Sequence, residues 1–184
     1  MNTKPYQIQP LLEFDLTPGC LDTFARRQIV QNVWRRKDGQ WTIVPEPFID
    51  DWNLKERWQT AEHLRQCIAE GGAVFAALGG QGEIIAFAAV SGGFIGPEQE
   101  YADLLELHTD NRYRRKGLGR ALFLQCAAWA QAHGAQKLYI SAHSAEESQA
   151  FYRSIGCIDA LWISREHAEK EPYDCQMEYA LLQD

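Results

Sequence analysis

Between residues 112 and 120 the chain carries Arg112, Arg114, Arg115, Lys116 and Arg120, five cations in nine residues, gathered round Gly117 and Gly119. That is the composition of an anion site. If a helix opens at Gly117, the N–H groups of its first turn have no internal partner, and the macrodipole adds partial positive charge there. Glycines remove the Cβ atoms that would keep a phosphate away from the backbone. One phosphate would hardly need so many cations; a pyrophosphate with a further phosphate, as in coenzyme A, would. A Walker loop requires G-x-x-x-x-G-K-[ST], which the segment lacks. A dinucleotide fingerprint requires G-x-G-x-x-G directly after a strand, whereas here a basic loop intervenes and Leu122 occupies the third glycine position. On these residues alone, a charged turn before a glycine-started helix stays open as the plainer alternative.

The elements that must position this segment follow from apolar spacing and punctuation. Residues 4–10 give a weak first strand. Asp22 to Arg36 reads as a helix, apolar at Phe24, Ile29, Val33 and Trp34, with a basic end before the turn Asp38-Gly39. Trp41 to Val44 reads as a short extended piece closed by Pro45 and Pro47. Asn53 is placed to cap a helix from Leu54 to Glu70, with Glu56 at the capping-box position. Trp58, Ala61, Leu64, Cys67 and Ile68 form that helix's apolar face, and Gly71-Gly72 stops it. Ala73–Leu78 and Glu83–Ser91 are apolar strands joined by a glycine-rich hairpin loop. A longer turn at Gly92-Gly93 and Gly96-Pro97 leads into the strand Tyr101–Thr109. Gly117–His133 is a helix, Lys137–Ala142 a strand, Ala145–Ile155 a helix, and Cys157–Ser164 and Tyr173–Leu181 strands. The order predicts an α/β protein with one sheet and helices on both faces.

Composition narrows the functional classes. The chain has 184 residues, 46% of them hydrophobic, which suits one domain over 1–184. A net charge of −7 argues against a nucleic-acid partner and is compatible with a cationic one such as an amine. No apolar run approaches a membrane span and no secretory segment opens the chain, so a cytoplasmic protein is expected. The odd number of cysteines, five, without C-x-x-C spacing reads as small buried hydrophobes in a reduced compartment. The histidines at 63, 108, 133, 143 and 167 form no metal-ligand spacing, so no metal is expected.

Two segments together carry a family resemblance. Arg114-x-x-Gly117-x-Gly119 resembles the Q/R-x-x-G-x-G/A signature of the GCN5-related N-acetyltransferase (GNAT) superfamily, within a strand–loop–helix run from Leu107 to Gly119 that is similar to the family's. Ser148 to Cys157, with Phe151-Tyr152 and Gly156, resembles its second motif at the usual separation. The match spans about residues 73–181, the expected cofactor-binding core, preceded by acceptor-side helices over residues 1–70. The resemblance implies a single mixed, mostly antiparallel sheet (α+β) flanked by helices on both faces. It also implies acetyl-CoA as cosubstrate and transfer of its acetyl group to a primary amine by direct attack. The acceptor is a small-molecule amine or a protein lysine or N-terminal amine, and a homodimer is compatible with it. A non-catalytic acyl-CoA sensor is the alternative.

The resemblance also assigns roles. Arg114, Arg115, Lys116, Gly117, Leu118, Gly119 and Arg120 hold the pyrophosphate. Backbone groups of Leu107, His108 and Thr109 meet the thioester and its arm, with Thr109 standing where the family usually has a Val-like residue. Ser148, one helical turn before Tyr152, could bond the pantetheine arm. Tyr152 is the general acid, because a phenol with a reference pKa near ~10 is protonated at neutral pH. For the base, Asp103 leads and Glu106 follows, each acting directly or through water; loss of the amine's proton to solvent is the alternative. Strand alternation puts Asp103 on the face of Leu105, Leu107 and Thr109, and Glu106 with His108 on the other, unless a bulge intervenes. Four of the six tryptophans, Trp34, Trp41, Trp52 and Trp58, fall between 34 and 58 and are expected in packing more than in an aromatic wall round an amine.

Overall fold

The structure, a computed structural model, describes residues 6–181. Its main sheet has seven strands: β1 (Gln7–Pro10), β4 (Ala73–Leu78), β5 (Ile84–Ile95), β6 (Tyr101–Thr109), β7 (Lys137–Ala142), β8 (Ile158–Asp159) and β9 (Cys175–Ala180). They lie in the order β1-β4-β5-β6-β7-β9-β8. All neighbours are antiparallel except β6 and β7. β4 and β5 are alanine-rich and buried on both faces, because helices cover both sides. Helix α1 (Leu54–Ala69) packs Ala61, Leu64 and Cys67 against Val74, Ala76, Phe87 and Ala89 on one face. Helix α2 (Leu118–Ala132) packs Leu118, Leu122, Phe123 and Cys126 against Ala86, Ala88, Val90 and Leu104 on the other. Helix α3 (Glu146–Ser154) adds Tyr152 to that second face through Phe123, ring centroids 6.4 Å apart.

The α1 capping box is present: Asn53 Oδ1 accepts from the Glu56 N–H at 3.1 Å and Glu56 Oε2 accepts from the Asn53 N–H at 2.7 Å. Trp58, expected on the apolar face, is instead 47% exposed and donates to Asp22.

The helix expected over Asp22–Arg36 is not there. Residues Arg27–Lys37 form β2, paired with β3 (Gln40–Asp51) in a separate two-stranded sheet. The register slips between Val30 and Asn32, so the inward residues Val30 and Val33 stand three apart. A bulged strand thus imitates helical spacing. The turn that follows also differs from a helix stop. Asp38 (φ 50°) and Gly39 (φ 80°) are both left-handed, the geometry of a tight hairpin turn. Pro45 and Pro47 lie inside β3, tolerated because β2 is its only strand neighbour among the described residues.

Other elements also differ, β5 among them, which runs to Ile95 through the turn expected at Gly92-Gly93. The first strand is Gln7–Pro10; residues 4 and 5 lie outside the described residues. The strand expected over Cys157–Ser164 shrinks to Ile158–Asp159, and a short helix, α4 (Arg165–Lys170), follows it, capped by the Ser164 hydroxyl accepting from the His167 N–H.

Candidate active site

β6 does two things that open a site. It pairs with β7 only over Tyr101–Asp103, against Lys137–Tyr139, and then leaves it. Beyond Asp103 the alternate N–H groups of β6 that would face β7 have no strand beside them. It also carries a bulge at Leu105: Ala89 pairs with Glu106 while Val90 pairs with Leu104. The bulge resets the side-chain alternation. Leu104 and Leu107, three residues apart, both pack in the α2-side core. Asp103, Glu106 and His108 consequently share the α1 face. The strict-alternation expectation, with Asp103 opposite Glu106, is corrected by this one extra residue.

A groove of about 1180 Å³ follows the gap. At one end stands the start of α2. Gly117 is its N-cap at φ +80° and, among the described residues, no side chain caps the helix, so the first-turn N–H groups are left to the opening. Gly119 is not required by its own backbone or by packing: a Cβ there would rest 3.4 Å from Phe151, an ordinary contact. Arg114, Arg115 and Arg120 line this end. Lys116 does not line the groove; its Nζ lies 5.0 Å from the Tyr113 ring centroid.

Arg112 is likewise used by the fold. It bonds the fully buried Asp110 at 2.6 Å and the Thr23 carbonyl at 2.6 Å. Burial alone would raise the Asp110 pKa. The Arg112 guanidinium and the N–H groups of Ala25 and Arg112 hold it below the usual carboxylate range. The buried Asp110 carboxylate, held by these donors, anchors the loop that presents the cations.

Along the groove lie Leu107, His108, Thr109, Leu118, Ser148 and Tyr152. The Tyr152 hydroxyl has no hydrogen-bond partner among the described residues. Burial, reinforced by Cys157, Asp174 and Glu106, pushes its pKa well above that of an ordinary phenol.

The far end is acidic, and each expected carboxylate is held by a histidine. Glu106 Oε2 meets His108 Nε2 at 2.7 Å, and Arg26 Nε donates to His108 Nδ1 at 3.2 Å. With Nδ1 accepting, Nε2 must carry the proton and donate to Glu106. Trp52 packs its ring 4.7 Å from His108, and Trp34 and Trp41 pack on each other at 6.0 Å, so these tryptophans serve packing. Asp103, only 6% exposed, meets His167 Nε2 at 2.6 Å. Asp174, on the approach to β9, accepts from the Ser141 hydroxyl at 3.1 Å, and burial pushes it up to about 6. His143, just after β7, lines the same groove, and burial lowers its pKa.

Sequence reasoning missed His167, Asp174, His143 and Arg26. Arg26 and His167 are 82 and 64 residues from the partners they meet, and no local spacing signals that.

A mixed sheet splayed at one strand pair, with an uncapped helix N-terminus at the mouth of the gap, is the architecture of an acyl-CoA N-acyltransferase. The model of the acetyltransferase (GNAT) family matches residues 34–157, and the chain belongs to that family of acetyl-CoA-dependent enzymes. Among curated proteins no sequence matches. In fold the chain is similar to nourseothricin acetyltransferase, at 16% identity and TM-score 0.70, covering 97% of this chain and 100% of that one. It is also similar to a candidate streptothricin acetyltransferase from Bacillus anthracis in complex with acetyl coenzyme A, at 16% identity and TM-score 0.67, covering 97% and 99%. A third is the PaiA N-acetyltransferase of Thermoplasma acidophilum in complex with coenzyme A, at 15% identity and TM-score 0.59, covering 95% and 98%. Among the described residues no group of three or more His, Cys, Asp or Glu could hold a metal, and no helix is long and apolar enough to cross a membrane.

Proposed function

We propose that this protein transfers the acetyl group of acetyl-CoA to a small primary amine by direct attack. The observation that carries the reading is the single groove joining an uncapped, arginine-ringed helix start to a cluster of carboxylates through the gap between β6 and β7. The N–H groups of Leu118, Gly119 and Arg120, with the Arg114, Arg115 and Arg120 side chains, bind the pyrophosphate and the further phosphate. Backbone groups of Leu107, His108 and Thr109 hold the arm and polarise the thioester carbonyl. Ser148 bonds the pantetheine arm, and Tyr152 gives its proton to the departing sulfur.

Asp103, Glu106 and Asp174 make the acceptor end a place for a cation, which an amine is before it reacts. Their recessed placement suits a small amine better than an extended peptide. The two antibiotic acetyltransferases of similar fold support that acceptor class by analogy. Direct attack is supported by the cysteines. Cys67 lines the groove, but burial pushes its pKa up to about 11, so it is a thiol and a poor nucleophile at neutral pH.

The test is transfer from labelled acetyl-CoA to a panel of mono- and polyamines and to lysine peptides, beside the Gly119→Asp variant. Transfer to small amines, lost in the variant with its acetyl-CoA affinity, is expected. Tight acetyl-CoA binding without transfer to any acceptor would instead mark a sensor.

A further inference from the structure

The acceptor end of the groove holds three half-buried histidines, and their hydrogen bonds separate them by what each ring can still do. His108 has no ring nitrogen left, because Nδ1 accepts from Arg26 and Nε2 donates to Glu106. His143 Nδ1 accepts from the Ala145 N–H at 3.1 Å, which leaves only its Nε2–H, a donor. His167 differs. Its Nε2 lies 2.6 Å from Asp103 Oδ2, and an acceptor-only carboxylate requires the proton to be on Nε2. Nδ1 then carries a free lone pair and has no partner among the described residues.

The ring is also held in place. It stacks on Tyr139, centroids 5.3 Å apart and planes 26° apart. The Tyr139 hydroxyl accepts from the Ser164 N–H at 3.0 Å, and Ser164 caps α4, the helix that carries His167. Asp103 is the last residue of β6 paired with β7, so the imidazole stands where the strands part, on the face shared with Glu106.

We propose that His167 is the base that takes the proton from the acceptor ammonium, and that Asp103 is its positioning carboxylate, not itself the base; this rests on the transferase reading above. The ammonium gives one proton to Nδ1 of His167. The freed nitrogen pair forms the C–N bond at the thioester carbonyl, and the C–S bond breaks as the carbonyl re-forms. Tyr152 protonates the leaving sulfur. The second proton of the attacking nitrogen passes to water, from which the tyrosinate is re-protonated, and imidazolium returns the first proton to solvent. One proton is released per acetyl transferred.

The groups facing His167 are Asp103 on β6, Tyr139 on β7, Glu166 and Lys170 on α4, and Asp174 before β9. The Asp103 hydrogen bond is the largest influence and raises the imidazole above its ordinary pKa of 6.5, with Glu166 adding to the rise and burial and Lys170 opposing it.

The experiment combines amine-dependent kinetics with an NMR titration of His167. His167→Gln keeps an amide donor for Asp103 but cannot take a proton. It should lower kcat by about 10²-fold or more with the KM for acetyl-CoA unchanged, and erase the acidic limb of the pH profile. Asp103→Asn keeps the acceptor oxygen and removes the charge. It should move both the His167 titration and that limb to lower pH. A His167→Gln variant with wild-type kcat and an intact acidic limb, or an Asp103→Asn variant in which neither moves, overturns the assignment. A wild-type protein that transfers acetyl to no amine overturns the transferase reading first. A transferring wild type beside an unaffected His167→Gln overturns the base alone.

Discussion

Asp174 offers a perturbation whose size and sign can be worked out in advance. Its carboxyl is raised from 3.8 to about 6 by burial, only partly offset by the Ser141 hydroxyl. Below the unfolded value the group is protonated in both states and has no effect on stability. As pH rises through 3.8 the unfolded chain ionises freely while the folded one resists, so the folded state loses stability until about pH 6, after which the loss is constant. A rise of that size costs the folded state about 3 kcal/mol at pH 7.5, and roughly half of that at pH 5.

Asp174→Asn removes the ionisation and keeps an oxygen for Ser141. The variant should be more stable than the parent by about 2–3 kcal/mol at pH 7.5 and about 1–1.5 kcal/mol at pH 5, less whatever its new amide donors lack in partners. For a chain of this size that is roughly 4–10 °C in Tm at the higher pH. Urea unfolding of both proteins between pH 4.5 and 8 reads it. A difference that is absent, negative or flat across that range would refute the burial argument. The same variant should raise the KM for a cationic amine if, as proposed, the carboxylates at the acceptor end meet the acceptor's charge.

Other outcomes follow from the same geometry. Arg112→Ala removes the exposed guanidinium partner of buried Asp110, which keeps only its two backbone N–H bonds, and should lose about 1–2 kcal/mol in denaturant unfolding, with acetyl-CoA binding weakened through the loosened loop. Because Asp110 lies below its ordinary pKa, its contribution is present above pH 3.8 and fades as pH falls through the lower folded value, so the wild-type stability advantage over Arg112→Ala should narrow in acid. Tyr152→Phe should lower kcat by about 10²-fold while leaving acetyl-CoA affinity within a few fold, measured by steady-state kinetics and calorimetry. Gly119→Asp should abolish acetyl-CoA binding with Tm nearly unchanged, since its Cβ meets only ordinary contacts; a retained affinity would remove the helix start from the phosphate site.

What was legible in the chain was what neighbours in sequence decide. The α1 capping box joins residues three apart, and the helix start at Gly117 with its flanking arginines is set within one helix turn. The alanine-rich strands β4 and β5 declare burial on both faces by their continuous apolar runs. These rest on backbone geometry and local charge, so a short stretch contains all the physics.

What tertiary structure decided depends on partners far along the chain. One extra residue at Leu105 turned Asp103 to the face of Glu106 and His108, and strand periodicity cannot place a bulge before the neighbouring strand is known. A similar slip after Val30 made a strand look like a helix. Arg112 looked like a phosphate cation until the buried Asp110 took it. His167 meets Asp103, 64 residues earlier in the chain, only because the segment after β8 folds back. A lone histidine has no chemistry to announce; the carboxylate that holds one nitrogen and the gap between strands that leaves the other free exist only in three dimensions.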